Sequence, residues 1–198
     1  MAIIRANNNT LSSVTALPTA IATGSMVKLF SLTGNTSGAS EYDIDNTYIN
    51  STYDNYYVFF NTCSATASSR ELRIRFIESG TVNESANYWY MAHQQNGNFS
   101  QDQDAGTYIQ GSRGVNAQSG DGQGVAGYFY LFNVNNTNSP TFLIGQHWYT
   151  AGAASNLGVD FSGGYDDSKN TVAINGIRFY QSAVNILMRE FAIYGITK

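Results

Sequence analysis

Short segments in which apolar and polar residues alternate run through most of this chain. Leu72, Ile74 and Phe76 are separated by Arg73 and Arg75, so an extended segment here has one apolar side and one charged side. A period of two is typical of a half-buried β-strand. Similar runs, bounded by Ser-Gly, Asn-Gly and Asp-Gly turn signals, predict about nine strands. The predicted strands are Met26 to Leu32, Tyr56 to Phe60, Glu71 to Ile77, Tyr88 to Ala92, Thr107 to Gln110, Tyr128 to Val134, Thr141 to Tyr149, Val172 to Tyr180 and Arg189 to Ile196.

This pattern is typical of an all-β sandwich or barrel, because no segment carries a convincing apolar stripe at helical spacing. Of the two, we predict an antiparallel β-sandwich with short strands and turns. Two long polar stretches, Gly97 to Val125 and Ala151 to Lys169, are expected to be loops, the first interrupted only by a short piece around Tyr108. The core is expected to contain Phe59, Leu72, Ile74, Phe76, Phe129, Leu131, Ile177, Phe179, Phe191 and Ile193.

The first 24 residues differ from the rest, since they are rich in Asn, Thr and Ala with thinly spread apolar positions. We therefore predict an extended N-terminal arm over residues 1–24 and a single β-sandwich domain over residues 25–198. An arm with so few apolar residues does not bury itself, and a partner surface is the expected place for Ile3, Ile4, Leu11 and Val14.

The composition narrows the classes of function. Charged residues make up 12% of the chain and the net charge is −4, whereas about 25% charged residues is usual. No basic cluster is present, so nucleic acid is not an expected partner. The N-terminus lacks the apolar stretch of a signal peptide, and no apolar run approaches the length of a membrane span, so secretion by a signal peptide and membrane insertion are not expected.

Residues that carry chemistry are few and scattered. Cys63 is the single cysteine, and His93 and His147 lie on different predicted strands without metal-ligand spacing. No Gly-x-Ser-x-Gly elbow is present, and we predict no enzymatic activity, no catalytic residue, no cofactor and no metal. A calcium ion held by loop aspartates stays an open alternative for three pairs: Asp43 and Asp45, Asp102 and Asp104, and Asp166 and Asp167.

The aromatic residues leave two interpretations open. Alternation places Trp89 on the opposite side of its strand from Tyr88 and Tyr90, and it likewise separates Trp148 from Tyr149. Large aromatics fill β-sandwich cores and subunit interfaces, but aromatic faces also stack on sugar rings. Trp89, Trp148 and Tyr149 are therefore candidate contacts with a glycan or with another subunit.

Several segments, taken in order, resemble a family of small virion proteins from short-tailed marine and cyanobacterial phages. These segments are the opening Gly-Ser-Met-Val at Gly24 to Val27, STYDNYYVFFN at Ser51 to Asn61, LRIRFIESG at Leu72 to Gly80, GYFYLFNVNN at Gly127 to Asn136, VAINGIRFYQSAVNI at Val172 to Ile186 and EFAIYGITK at Glu190 to Lys198. The loop after Asn133 has less of the family's Asn-Pro turn chemistry.

The resemblance implies a concanavalin-like or jelly-roll β-sandwich displayed on a bacteriophage particle as a capsid decoration, knob or tail appendage. The chain is then expected in the virion after synthesis in the host cytoplasm, as a homo-oligomer docked through its arm onto other capsid or tail proteins. The alternative is a lectin-like receptor-binding domain of a tail fibre that recognises host surface glycans. The family carries no catalytic residues over to this chain.

Overall fold

The computed structural model describes residues 26–67, 70–94, 100–112, 124–150, 156–166, 169 and 171–197, with only the backbone described at 94, 100–104, 150, 156 and 157. The predicted arm, with Ile3, Ile4, Leu11 and Val14, lies outside these residues, as does its boundary with the domain. The described chain forms thirteen strands and no α-helix. The strands are β1 (Met26–Leu32), β2 (Glu41–Ile44), β3 (Asn55–Ala65), β4 (Leu72–Glu78), β5 (Thr81–Val82), β6 (Tyr88–Gln94), β7 (Ser100–Gly106), β8 (Ile109–Gln110), β9 (Val125–Phe132), β10 (Phe142–Thr150), β11 (Asn156–Tyr165), β12 (Gly176–Gln181) and β13 (Ile186–Ile196).

The strands form two antiparallel sheets packed as a sandwich, which confirms the predicted fold class. The large sheet has eight strands in the order β1-β13-β3-β9-β10-β11-β6-β7. The small sheet has five strands in the order β2-β12-β4-β5, with β8 also paired to β4. The finer assignment to a jelly-roll or concanavalin-like topology stays a prediction.

Alternation along the strands builds one core between the sheets. In β4, Leu72, Ile74 and Phe76 are fully buried while the two arginines between them point outward. The rings of Phe129, Phe179 and Phe191 connect the sheets: Phe179 of β12 lies 6.0 Å from Phe129 of β9 and 5.3 Å from Phe191 of β13, measured between ring centroids. Burial of such side chains contributes about 1.5–3 kcal/mol each.

One predicted core residue is wrong. Phe59 is 38% exposed because it lies between Val58 and Phe60, both of which point into the sandwich and are buried. In an extended strand, neighbouring side chains must point to opposite sides. Phe59 therefore lies on the outer face of the large sheet.

Four strands were missed or read as loop. The stretch expected to be irregular from Ala151 to Lys169 contains β11, a ten-residue strand paired with both β10 and β6. The other expected loop contains β7, which pairs with β6 at the sheet edge. The short β2 and β5 were also not predicted, whereas the piece around Tyr108 is strand only at Ile109–Gln110.

Candidate functional site

The outer face of the small sheet is charged, and its charges are paired. Arg178 of β12 holds both carboxylate oxygens of Asp43 on the neighbouring β2, with two hydrogen bonds of 2.7 Å. Arg73 of β4 donates to Glu71, the shorter of its two hydrogen bonds being 2.8 Å, and its guanidinium lies 4.0 Å from the centroid of the Tyr108 ring. On this face positive and negative side chains neutralise each other in pairs.

The outer face of the large sheet has the opposite character. Every large hydrophobic side chain that is exposed in the described part of the chain lies on this face, because each alternates with an inward-pointing neighbour. These side chains are Met26, Phe59, Trp89, Met91, Tyr130, Phe142, Ile144 and Trp148, with exposed fractions from 37% to 57%. The molecule thus has one charged face and one aromatic face.

A tyrosine patch, formed by Tyr57, Tyr128, Tyr130 and Tyr194, occupies the middle of the aromatic face. The ring of Tyr57 on β3 lies 5.2 Å from that of Tyr130 and 6.0 Å from that of Tyr194, measured between centroids. Partial burial, reinforced by the neighbouring phenols, raises the pKa of Tyr57 above its ordinary value. Tyr57 is therefore uncharged at neutral pH, and the patch presents aromatic rings and hydroxyl groups on the outer face of the large sheet.

A groove follows β11 beside this patch. Its floor is made by two outward-pointing positions of β11: Ser162, which has a small side chain, and Gly164, which has none. Large residues of the flanking strands rise on both sides, so the groove has a volume of about 880 Å³. We call it the β11 groove, and its walls are Phe142 and Ile144 of β10 and Trp89 and Met91 of β6.

Close packing of the backbone explains why the floor is bare. A Cβ atom placed on Gly164 would lie 2.6 Å from the carbonyl oxygen of Thr141 and 2.7 Å from the Cβ of Phe142. Atoms cannot approach this closely without a shift of the backbone, so glycine is required at this position. The same requirement leaves open the space between Phe142 and Trp89, which face each other across Gly164.

The groove becomes polar toward its other end, where a second hollow of about 490 Å³ shares Met91, Ile144 and Ser162 with the first. There the Gln146 amide nitrogen donates to Asp160 at 2.7 Å, and the Tyr128 hydroxyl donates to the Gln146 amide oxygen at 3.0 Å. Among the described residues that line the two hollows, Asp160 is the only acidic side chain and there is no Lys or Arg.

The structure separates the three aromatic residues singled out from the sequence. Trp89 is 57% exposed in a wall of the β11 groove, and Trp148 is 52% exposed on the same face. Phe142 and Trp89 lie at the same level of the sheet, since both pair with Gly164. Trp148 is six residues from Phe142 along β10, so it lies about 20 Å from that level along the strand direction. Tyr149 is only 3% exposed because alternation turns it inward, so the expected surface contact at this residue is corrected.

Sequence reasoning misses the groove floor, because the pattern predicts a loop over the residues that form β11. Asp160, Ser162 and Gly164 point outward while Val159 and Phe161 are buried. The signal was present as large residues spaced two apart, but the intervening Gly and Ser residues resemble turn chemistry.

Cys63 and His147 lie inside the sandwich, whereas His93 is exposed and lines the second hollow. Burial raises the pKa of the Cys63 thiol to about 12, so the thiolate needed for nucleophilic attack does not form at neutral pH. Burial lowers the pKa of His147 to about 3, so this imidazole is neutral. Its ring packs edge-to-face against Phe161, with ring centroids 5.0 Å apart.

One half-buried polar cluster connects the two sheets. The carboxylate of Glu78 on β4 accepts hydrogen bonds from the Tyr165 hydroxyl at 2.7 Å, from the Asn83 amide at 2.7 Å and from the Lys169 amine at 3.1 Å. Burial opposes ionisation, but these donors outweigh it and hold the pKa of Glu78 below its ordinary value. The cluster fixes β4 to β11 and to the segment after it.

No group of three or more His, Cys, Asp or Glu residues suited to a metal ion occurs within the described ranges. In the same part of the chain, no helix has the length and apolar character needed to cross a membrane. The fold and the two contrasting faces define the protein as an antiparallel β-sandwich with an exposed aromatic face. Comparisons with protein-family models, curated proteins and solved structures give no match for this chain.

Proposed function

We propose that this protein is a non-enzymatic structural subunit of a bacteriophage particle, displayed as a capsid decoration or appendage and docked partly through the tyrosine patch. The observation that carries the proposal is the concentration of exposed aromatic and large apolar side chains on one outer face, opposite a face of paired charges. Monomeric proteins rarely expose contiguous apolar patches of large size, and such patches mark interaction sites.

The composition of the aromatic face supports a protein–protein contact. Interface centres are enriched in Tyr, Trp, Phe and Met and depleted of Lys, Glu and Asp. Tyr57, Tyr130, Tyr194 and Phe59 fit this description, and their ring faces and hydroxyl groups suit a surface that is hydrated before assembly and buried after it. The same composition suits a contact between copies of this chain and a contact with another virion protein.

The assignment to a phage particle is supported by the ordered resemblance to small virion proteins and by the low charge of the chain. The predicted arm, residues 1–24, would supply a second attachment with Ile3, Ile4, Leu11 and Val14. The lectin-like alternative concerns the β11 groove, which lies next to the tyrosine patch, and both roles are compatible in one appendage.

The test is incorporation of the chain into particles. Phage particles produced in cells that express a tagged copy are banded by density, and the tagged chain is quantified by immunoblot. We expect the wild-type chain to band with the particles and the double variant Tyr57→Ser, Tyr194→Ser to be strongly depleted. Tyr180→Ser on the outer face of the small sheet is the matched control, because it removes a tyrosine from the charged face.

Two results would contradict the proposal. Absence of the wild-type chain from banded particles would overturn the virion role. Normal incorporation of a folded double variant would show that the tyrosine patch is not the docking surface. Circular dichroism of each purified variant separates loss of docking from loss of folding.

A further inference from the structure

We infer that the β11 groove binds an uncharged sugar chain, held by stacking against Trp89 and by hydrogen bonds at the Asp160 end. The inference deepens the proposed function and rests on it for its setting, since a domain displayed on a particle meets the polysaccharides of a host surface. The binding chemistry itself is argued from the groove alone.

The apolar end has the shape and exposure needed for ring stacking. The indole of Trp89 is the most exposed large hydrophobic side chain in the described part of the chain, at 57%, and it faces Phe142 across the bare backbone of Gly164. A pyranose ring presents flat faces of C–H groups, which pack on an indole face. Since no side chain extends from Gly164, a ring can lie against the floor while it contacts the walls.

The polar end supplies a preorganised set of hydrogen-bonding groups. The amide of Gln146 fixes Asp160 with its 2.7 Å hydrogen bond, and the Tyr128 hydroxyl fixes the amide in turn. The carboxylate therefore keeps further lone pairs for sugar hydroxyl groups without a new cost of ordering its own side chain. The Ser162 hydroxyl lies between the two ends and provides both a donor and an acceptor.

Charge complementarity selects the class of sugar. The single acidic group and the absence of Lys and Arg among the described lining residues disfavour phosphate, sulfate and carboxylate ligands, for which Arg and Lys are the usual partners. Nucleic acid and anionic lipid headgroups are disfavoured for the same reason.

The length of the groove sets a lower limit on the ligand. The stretch of β11 from Asp160 to Gly164 contains five residues, and the four steps between them measure about 13 Å at the rise of a β-strand. This length exceeds a single pyranose ring, so the groove fits at least a disaccharide segment. The volume of about 880 Å³ lies within the range of about 300–1,000 Å³ found for ligand sites.

The two tryptophans provide a matched pair of variants for the test. Trp89 and Trp148 are similarly exposed on the same face, but only Trp89 lines the groove. Purified full-length chain is titrated with cellohexaose, mannohexaose and chitohexaose, and with alginate and heparin hexasaccharides as charged ligands. Binding is followed by calorimetry and by the fluorescence of Trp148→Phe, in which Trp89 is the only tryptophan.

We expect at least one neutral hexasaccharide to bind and to change the emission of Trp89. The variant Trp89→Ala should weaken this binding about tenfold or more, as removal of a central aromatic contact does. Asp160→Asn should weaken it to a smaller extent, and Trp148→Ala should leave it unchanged.

Three outcomes would overturn the inference: no binding of any neutral hexasaccharide, binding of the charged ligands alone, or equal loss in the Trp89→Ala and Trp148→Ala variants. Concentration-dependent self-association that Trp89→Ala abolishes would instead identify a second copy of the chain as the occupant. Incorporation into particles, measured with the Tyr57 and Tyr194 variants, is independent of these results, so failure of sugar binding and failure of the virion role are distinguishable.

Discussion

His147 is expected to make the protein sensitive to mild acid, and its replacement by leucine should remove this sensitivity. The imidazole is 4% exposed inside the sandwich, and neither ring nitrogen has a hydrogen-bond partner among the described residues. Burial without a partner favours the neutral form, which is why its pKa falls to about 3. Leucine has a similar volume and no polar atom, so His147→Leu should fold and be as stable as the wild type at pH 7, or more stable.

The magnitude follows from the difference between the folded and unfolded states. In the unfolded chain the imidazole takes up a proton as the pH falls below about 6.5. In the folded chain it stays neutral until the pH approaches 3. The unfolded state therefore binds more protons between these two values, and stability must fall as the pH falls through that window. The expected loss between pH 7 and pH 5 is about 2 kcal/mol from this one group.

The assay is urea unfolding at pH 7, 6 and 5 at constant ionic strength, with the free energy of unfolding compared among three chains. The wild type should lose about 2 kcal/mol more than His147→Leu over this range. The control is His93→Leu, which removes an exposed histidine and retains the buried His147, so the loss of stability assigned to His147 should persist. If His147→Leu loses as much stability as the wild type between pH 7 and pH 5, the imidazole is not held neutral by burial and the reasoning is refuted.

Three further predictions concern the core, the groove floor and the carboxylate cluster. Phe76→Ala should cost about 3–5 kcal/mol in urea unfolding, while Phe59→Ala on the outer face should cost about 1 kcal/mol or less, and equal costs would contradict the assigned faces. Gly164→Ala should cost about 1–3 kcal/mol, because its Cβ would lie 2.6 Å from a backbone oxygen, and an unchanged urea midpoint would show that the floor is not closely packed. Glu78→Gln should cost about 1–3 kcal/mol of unfolding free energy at pH 7. It should also reduce the loss of stability below about pH 4.3, because the lowered pKa of Glu78 stabilises the fold only while the carboxylate is ionised. An unchanged loss of stability below that pH would contradict this prediction.

Alternation alone was sufficient to predict the class of fold. Where large apolar residues are separated by charged ones, as in β4, the sequence alone assigns the inward and outward sides of the strand correctly. Phe59 shows the limit of the method, because Val58, Phe59 and Phe60 are all apolar and the sequence gives no polar residue to mark the outer side. The structure resolves this ambiguity through the register of β3 with its neighbours.

The candidate site was only half predictable. Trp89 could be identified because alternation places its indole on the side of the strand opposite Tyr88 and Tyr90, where it is a candidate surface contact. The floor of the groove could not be predicted, because it consists of outward positions without large side chains, Ser162 and Gly164. A strand rich in Gly and Ser has the same composition as a loop, and only its pairing with β10 and β6 distinguishes the two.

The contrast between the two outer faces has a practical consequence for anyone who images the isolated protein. A slab with a paired-charge side and an aromatic side is amphiphilic, and in a thin aqueous film it should adsorb at the air–water boundary with the large sheet toward the air. Isolated molecules would then be recorded mostly in one view. If a binding partner covers the tyrosine patch, this bias should weaken, and the distribution of views would report how much of the aromatic face is still exposed to solvent.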